Sequence, residues 1–289
     1  MDFFGFLNIH KPPRETSRWV VDRVQRIVRP SKVGHAGTLD PLATGVLVVA
    51  VGQATRLIEH VQQAPKSYRG TFLLGRSSDT EDVDGVVTEL IDPPIPTLEA
   101  IAEAAKGMIG EIQQRPPAYS AVKVKGQRAY DLARAGKQVE LQARPVQIYG
   151  IEIVEYAYPQ LVLDIQCGGG TYVRTLGREL AERCGTCAVM SGLVRTAIGG
   201  FRLEDAMDVA SLSVETIQSS LLPATVALPE LQQLTVSPDE IVKLGNGVVI
   251  ANRWGVSAGE FAAVSDGGDL VAILAADERG LRPVRYFPR

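Results

Sequence analysis

The chain has little with which to hold a metal or a disulfide. It contains three cysteines and three histidines in 289 residues. So odd and sparse a cysteine count excludes a disulfide framework. Cys184 and Cys187 have C-x-x-C spacing, but a structural zinc site needs two further ligands and no second pair is present. His10, His35 and His60 lie far from the pair along the chain. No metal site is expected. A glycine-rich dinucleotide fingerprint is also missing, so no nucleotide cofactor is indicated. Long apolar runs are absent: none approaches the roughly 18 residues of a membrane helix. Asp2 stands where a signal peptide would be basic and Lys11 arrives early, so the expected compartment is the cytoplasm. The chain also lacks positive net charge. It carries −3 at a pI of about 5.7, which taken whole speaks against a nucleic-acid binder.

The distribution of charge says otherwise. From Lys11 to Lys32 there are seven basic residues against Glu15 and Asp22. From Arg115 to Arg144 there are seven more against Asp131 and Glu140. By contrast, Asp79 to Glu103 holds eight acids and no Lys or Arg, and Leu203 to Val242 holds seven acids and none. Separated charge can build a basic face on an acidic protein, and local field steers an anionic partner more than net charge does.

Apolar residues make up 45% of the chain, enough for a sizeable core. At about 150 residues per domain, the length fits two domains. The pattern is α+β, with many strands in hairpin-like order and no regular βαβα alternation. Residues 5–10 read as a strand. Thr16 or Ser17 caps a helix to about Val28, with Val20, Val24, Ile27 and Val28 on one face. The run 46–51 is a buried strand. Residues 54–62 form a short helix, and 66–74 a strand. Asp79 to Gly85 is an acidic loop, without the twelfth-position Glu of a calcium loop, and 86–88 starts a strand. Thr97 caps a helix to Lys106. Residues 119–125 read as a strand, 127–134 as a helix, 146–157 and 161–167 as strands, 171–184 as a helix, and 189–198 as a strand. Composition shifts between Pro223 and Leu234. The last 55 or so residues read as short strands with turns at Gly245-Asn246-Gly247 and Asp266-Gly267-Gly268, the pattern of a small β-barrel.

One carboxylate, Asp40, lies in a loop too rich in glycine and proline to be helical, directly before the buried strand. It can be a turn cap, or a catalytic acid, base or nucleophile. Tyr68 sits early in a strand and Arg174 in the first turn of a helix. An Arg beside Asp40 would favour its ionised form, and an ionised Asp can act as nucleophile or base. A Tyr offers an aromatic face to a base and an O–H to a proton. Spacing alone does not bring the three together. His35, on the Asp40 loop, could stack on a base or fill the gap a flipped base leaves.

Gly34-His35-Ala36-Gly37-Thr38-Leu39-Asp40-Pro41-Leu42-Ala43-Thr44-Gly45 resembles the catalytic motif of the TruB family of pseudouridine synthases. Four further segments resemble family motifs in family order: Lys66-Ser67-Tyr68-Arg69, Pro116-Pro117-Ala118-Tyr119-Ser120-Ala121-Val122-Lys123, Gly170-Thr171-Tyr172-Val173-Arg174, and Leu193-Val194-Arg195-Thr196 with Gly199 and Phe201. One position departs: Arg14 stands where the Lys-Pro-x-Gly-x-Thr-Ser motif has glycine.

The resemblance implies a catalytic domain over 1–230, with a mixed or antiparallel sheet, and a PUA-like RNA-binding barrel over 231–289. It implies isomerisation of uridine 55 in the T-loop of tRNA to pseudouridine, with base flipping and no cofactor. Asp40, Tyr68 and Arg174 are its catalytic residues. His35 would occupy the vacated space and Leu193 would wall the pocket. Lys11, Lys123, Tyr172 and Arg195 would join the RNA contacts. The implied partner is the T-stem-loop of tRNA, with no membrane, no obligate protein partner and a monomeric chain. Rival readings are a tRNA-binding or folding protein on the same scaffold, a guide-RNA-dependent synthase, and a nucleoside hydrolase. The last would normally need a second carboxylate across the scissile bond.

Overall fold

Strands from the first 210 residues lie side by side in one mixed sheet of ten. The computed structural model describes residues 3–120, 122–124, 127–134 and 141–288, with the backbone alone at 123, 124, 128, 131, 133 and 134. Along the sheet the order is Met207–Asp208, Gly5–Lys11, Thr44–Val51, Ala188–Ile198, Lys66–Leu74, Gln160–Cys167, Arg144–Ala157 and Gly110–Gln114. Val33–His35 pairs on Thr44–Val51, and Phe201–Arg202 on Ala188–Ile198. Most pairs are antiparallel. Thr44–Val51 runs parallel to Ala188–Ile198, and Gly5–Lys11 parallel to Met207–Asp208.

Sequence pattern explains the layering. Thr44–Val51 is buried at every residue after the first, so it reads as a continuous apolar run. Lys66–Leu74 alternates buried with more exposed positions, the period of a strand with two unlike faces. Helix Ser17–Ile27 packs Val20 and Val24 against Leu7, Leu47 and Val49. Helices Leu98–Lys106 and Val173–Arg183 share a second cluster with Phe72, Leu161 and Leu163. The last helix comes close to Lys66–Leu74 because it carries Gly177, where a Cβ would fall 2.0 Å from the Phe72 ring. Thr16 and Thr97 cap their helices by accepting from Trp19 N and Ala100 N. Among the described residues no helix is long and apolar enough to cross a membrane.

Of the strand expected over 119–125, Lys123–Val124 pairs with Gln127–Arg128, residues 121 and 125 lie outside the described residues, and the helix begins at Ala129. Pro116 and Pro117 have no N–H to give a ladder, and the Tyr119 carbonyl is taken by an arginine rather than by a strand. The strand expected over 86–88 is confined to Thr88–Glu89, paired with Arg76–Ser77.

The C-terminal segment forms a second sheet of four strands, Gln233–Thr235, Glu260–Val264, Leu270–Asp277 and Gly280–Tyr286 in that order. The sheet is open, with no ladder joining its two outer strands among the described residues. It also holds a helix, Pro238–Gly245, where strands alone were expected. The signal is local: Ser237 and Glu240 make a reciprocal capping box with Pro238 at the helix start. Leu234, Leu244, Phe261 and Leu274 pack within this unit. Ala262, Leu270, Ile273 and Phe287 instead join Phe6, Val46 and Val48 of the large sheet, so apolar packing runs across residue 230. Phe287 stacks on Phe4 at 5.6 Å. Arg56 donates to the Tyr286 carbonyl at 2.6 Å, and Arg285 donates to the Arg56 carbonyl.

Arg14 adopts φ 66°, the left-handed conformation that glycine enters freely, and its N–H donates to the Pro41 carbonyl at 2.8 Å. Arg14→Gly should therefore raise unfolding free energy by about 1 kcal/mol. Urea denaturation checks this, and an unchanged or lower midpoint contradicts it.

Candidate active site

The Asp40 loop is fixed from both ends. Ala36 N bonds Val48 O at 2.9 Å, continuing the hairpin that starts at Val33–His35. Gly45, at φ 100°, lies against Arg195, where a Cβ would fall 2.2 Å from the Arg195 carbonyl. Only glycine lets the loop re-enter the sheet there. Between these ends the buried Ser17 hydroxyl clamps Leu39. It donates to the Leu39 carbonyl at 3.1 Å and accepts from Leu39 N at 2.8 Å. Asp40 follows directly, and Ala43 N closes a turn onto the Asp40 carbonyl at 3.1 Å.

Arg174 meets Asp40, as the sequence reading expected. Its Nε lies 3.1 Å from Asp40 Oδ2. The arginine is 5% exposed. Nη1 donates to the Thr80 carbonyl at 2.7 Å and to Asp82 Oδ2 at 3.2 Å, and Nη2 donates to the Tyr119 carbonyl at 3.0 Å. Asp82, 4% exposed, is a second carboxylate on the same guanidinium. Its other oxygen accepts from Thr80 Oγ1 at 2.6 Å and from Asp84 N at 3.1 Å.

Sharing changes the electrostatics. A lone Arg174 would hold Asp40 below the ordinary carboxylate range. Instead burial pushes the Asp40 carboxyl above its usual 3.8; Arg174 pulls it down, and Asp82 and Asp84 push it up again. The Asp40 side chain nevertheless stays 37% exposed, so it is reachable from solvent.

Tyr68 is 8% exposed and belongs to the apolar cluster of Leu39, Phe72, Val173 and Leu193. Burial raises its phenol pKa. Leu193 pairs across from Gly70, one step along the face that carries Tyr68. Arg195 pairs directly with Tyr68. It was expected to reach RNA, but it is 1% exposed and donates to the Val46 and Gly37 carbonyls at 2.7 and 3.1 Å. Lys11 is likewise inside the protein, not on an RNA face. It is fully buried, with its pKa lowered to about 8, chiefly by burial. Its ammonium donates to the carbonyls of Pro12, Glu15 and Pro41, which ties the first loop to the Asp40 loop.

His35 is half-buried at the hairpin end, and burial lowers its pKa. The Tyr172 ring carries the Arg144 guanidinium at 5.3 Å. Lys123 lies in a described strand, but its side chain is outside the described residues. Arg14, Arg18, Arg23, Arg26, Arg29 and Lys32 are all exposed along and beside the first helix, so that basic stretch does form a surface. Cys184 and Cys187 are free thiols.

A profile of the TruB family pseudouridylate synthase, N terminal domain, matches residues 25–173. The chain belongs to the TruB family. Curated relatives that carry the name tRNA pseudouridine synthase B match it over most of its length. One from Dehalococcoides mccartyi is 41% identical over 85% of this chain and 83% of its own. One from Caulobacter vibrioides is 39% identical over 98% and 96%. One from Caldanaerobacter subterraneus subsp. tengcongensis is 36% identical over 99% and 100%. The fold is also similar to a solved Cbf5–Nop10–Gar1 complex, at TM-score 0.74 and 25% identity over 98% of this chain and 84% of that one.

The TruB motifs mark Asp40, Tyr68 and Arg174 but not the groups that hold them. Asp82 was read only as part of an acidic loop. Glu81 beside it, at φ 64°, accepts from Thr175 Oγ1 at 2.6 Å and from Arg178 Nε at 2.9 Å, strapping the loop across the Arg174 helix. Gln114 clamps the Tyr172 backbone, donating to its carbonyl at 3.1 Å and accepting from its N–H at 2.8 Å. The acid-rich stretch facing a helix with Arg174 and Arg178 was the available signal for the strap. For Gln114 and Ser17 there was none. In carbon-detected NMR of labelled aspartate, Asp40 should titrate above 3.8, and Asp84→Asn should move its midpoint down by removing one like charge. An Asp40 midpoint below 3.8 contradicts this balance.

Proposed function

We propose that this chain isomerises uridine 55 in the T-loop of tRNA to pseudouridine, without a cofactor. The observation that carries the reading is near-full-length similarity to relatives named tRNA pseudouridine synthase B, together with the family-motif Asp40 held on Arg174 and still partly open to solvent. In the reaction the N1–C1′ bond breaks, the base turns, and C5 bonds to C1′. No atom enters or leaves and no electron is exchanged.

The target uridine leaves the stack of its loop, at a cost of a few kcal/mol. His35, at the rim, occupies the space it vacates. Tyr68 takes the flipped base on its ring, and Leu193 closes the apolar wall. Asp40 is the reacting group, attacking C1′ or the base, or removing a sugar proton. Arg174 holds its carboxylate in line and offsets its burial. When bound RNA covers the exposed part of Asp40, water leaves it, and both the attraction to Arg174 and the desolvation of Asp40 grow. The exposed arginines of the first helix contact phosphates and make affinity salt-dependent.

We assign residues 1–230 to catalysis and 231–289 to a PUA-like RNA-binding unit. The second assignment is supported by the size of the unit and its small four-stranded sheet. The chain is proposed to act in the cytoplasm as a monomer on tRNA, with no protein partner.

Asp40→Asn should abolish tritium release from a 5-tritiated T-stem-loop RNA while leaving its binding within a few-fold. Full activity in that variant would sink the assignment. Arg174→Ala should lose far more turnover than affinity, and an affinity loss alone would make Arg174 a phosphate contact.

A further inference from the structure

Arg195 is the largest fully buried side chain among the described residues. A guanidinium stays protonated in proteins, and a buried charge without a partner is strongly unfavourable. The carbonyls of Val46 and Gly37, to which Arg195 donates, are dipoles and cancel no charge. Among the described residues it forms no ion pair. Its ionisable neighbours include Lys11, Lys66 and His35, groups of its own sign when charged. Burial lowers all three, and the field of Arg195 lowers them further.

One facing group can become an anion. Tyr68 is the direct cross-strand partner of Arg195, so the two side chains stand on the same face of the sheet. We propose that Arg195 is a positioning residue acting through Tyr68: its unbalanced charge is the counter-ion for a Tyr68 phenolate that forms only during the reaction. The inference rests on the isomerisation proposed above.

Once the C5–C1′ bond exists, C5 still carries its hydrogen, and C6 is doubly bonded to N1. The Tyr68 phenol gives its proton to N1. The phenolate takes the proton from C5, the C5–H pair becomes the C5=C6 bond, and the C6=N1 pair settles on N1. The phenol is regenerated. Burial, Cys167 on the neighbouring strand and Asp40 on its loop all oppose the phenolate, and Arg195 favours it. The phenol therefore rests neutral. The cation is fixed in a site of low dielectric before negative charge develops, the arrangement in which a charge stabilises most.

The test uses a T-stem-loop RNA with hydrogen or deuterium at C5, under single turnover. Arg195→Gln should slow conversion by about 100-fold with RNA affinity within a few-fold, and a primary isotope effect at C5 should emerge. A merely structural loss would slow both isotopes alike and leave no new isotope effect, overturning the proposal. As a second measurement with Arg195 in place, 3-fluorotyrosine at position 68 makes the phenol more acidic. It should shift the pH–rate profile to lower pH, and an unshifted profile overturns the proposal even if Arg195→Gln fails to fold. Absence of tritium release from the unaltered chain would instead sink the isomerase reading itself.

Discussion

One buried guanidinium, that of Arg174, joins four stretches of chain that are far apart in sequence. It meets the Asp40 loop, the Asp82 strap and the Tyr119 carbonyl, from the first turn of its own helix. The five donors of the fork suit this task, since each points in a fixed direction. A buried charge pair is weak support for stability, because desolvation offsets the attraction. What the network gives is position. Held by these partners, Arg174 fixes where Asp40 stands, and removing the arginine would leave two carboxylates, Asp40 and Asp82, without their cation.

The surrounding structure serves that constraint. Ser17 pins the residue before Asp40, and Gln114 pins the residue two before Arg174. Glu81 accepts a left-handed backbone so that Asp82 can turn inward, and its carboxylate ties the strap to Thr175 and Arg178. Strain held by over-determined contacts is a feature of functional sites. Tyr68 and Arg195 lie on the other side of the same loop, where Arg195 holds the Gly37 carbonyl. The Asp40 loop is thus held by two buried arginines, one with two carboxylates and one with none.

Much of this was legible in the sequence. The strand Lys66–Leu74 and the helix caps at Thr16 and Thr97 follow from alternation and capping chemistry, which act over a few residues. The Asp40–Arg174 pair could be expected from the motif resemblance, but its energetics could not: Asp82 shares the arginine, and burial outweighs it. The motif resemblance implies RNA contacts for Lys11 and Arg195, and only tertiary packing puts them inside. Pro238–Gly245 was missed although Ser237 and Glu240 announced it. Ser17 and Gln114 bond backbone groups 22 and 58 residues away, and no local pattern encodes such pairings.

The claim that Arg174 transmits the influence of Asp82 to Asp40 is tested most directly by a double-mutant cycle. The variants are Asp82→Asn, Arg174→Lys and the pair, each read by single-turnover tritium release from the T-stem-loop RNA. If Asp82 acts through Arg174, the pair should be little slower than the worse single variant, with a coupling of about 0.5–3 kcal/mol. Losses that simply add would show that Asp82 acts on its own, and would contradict the account.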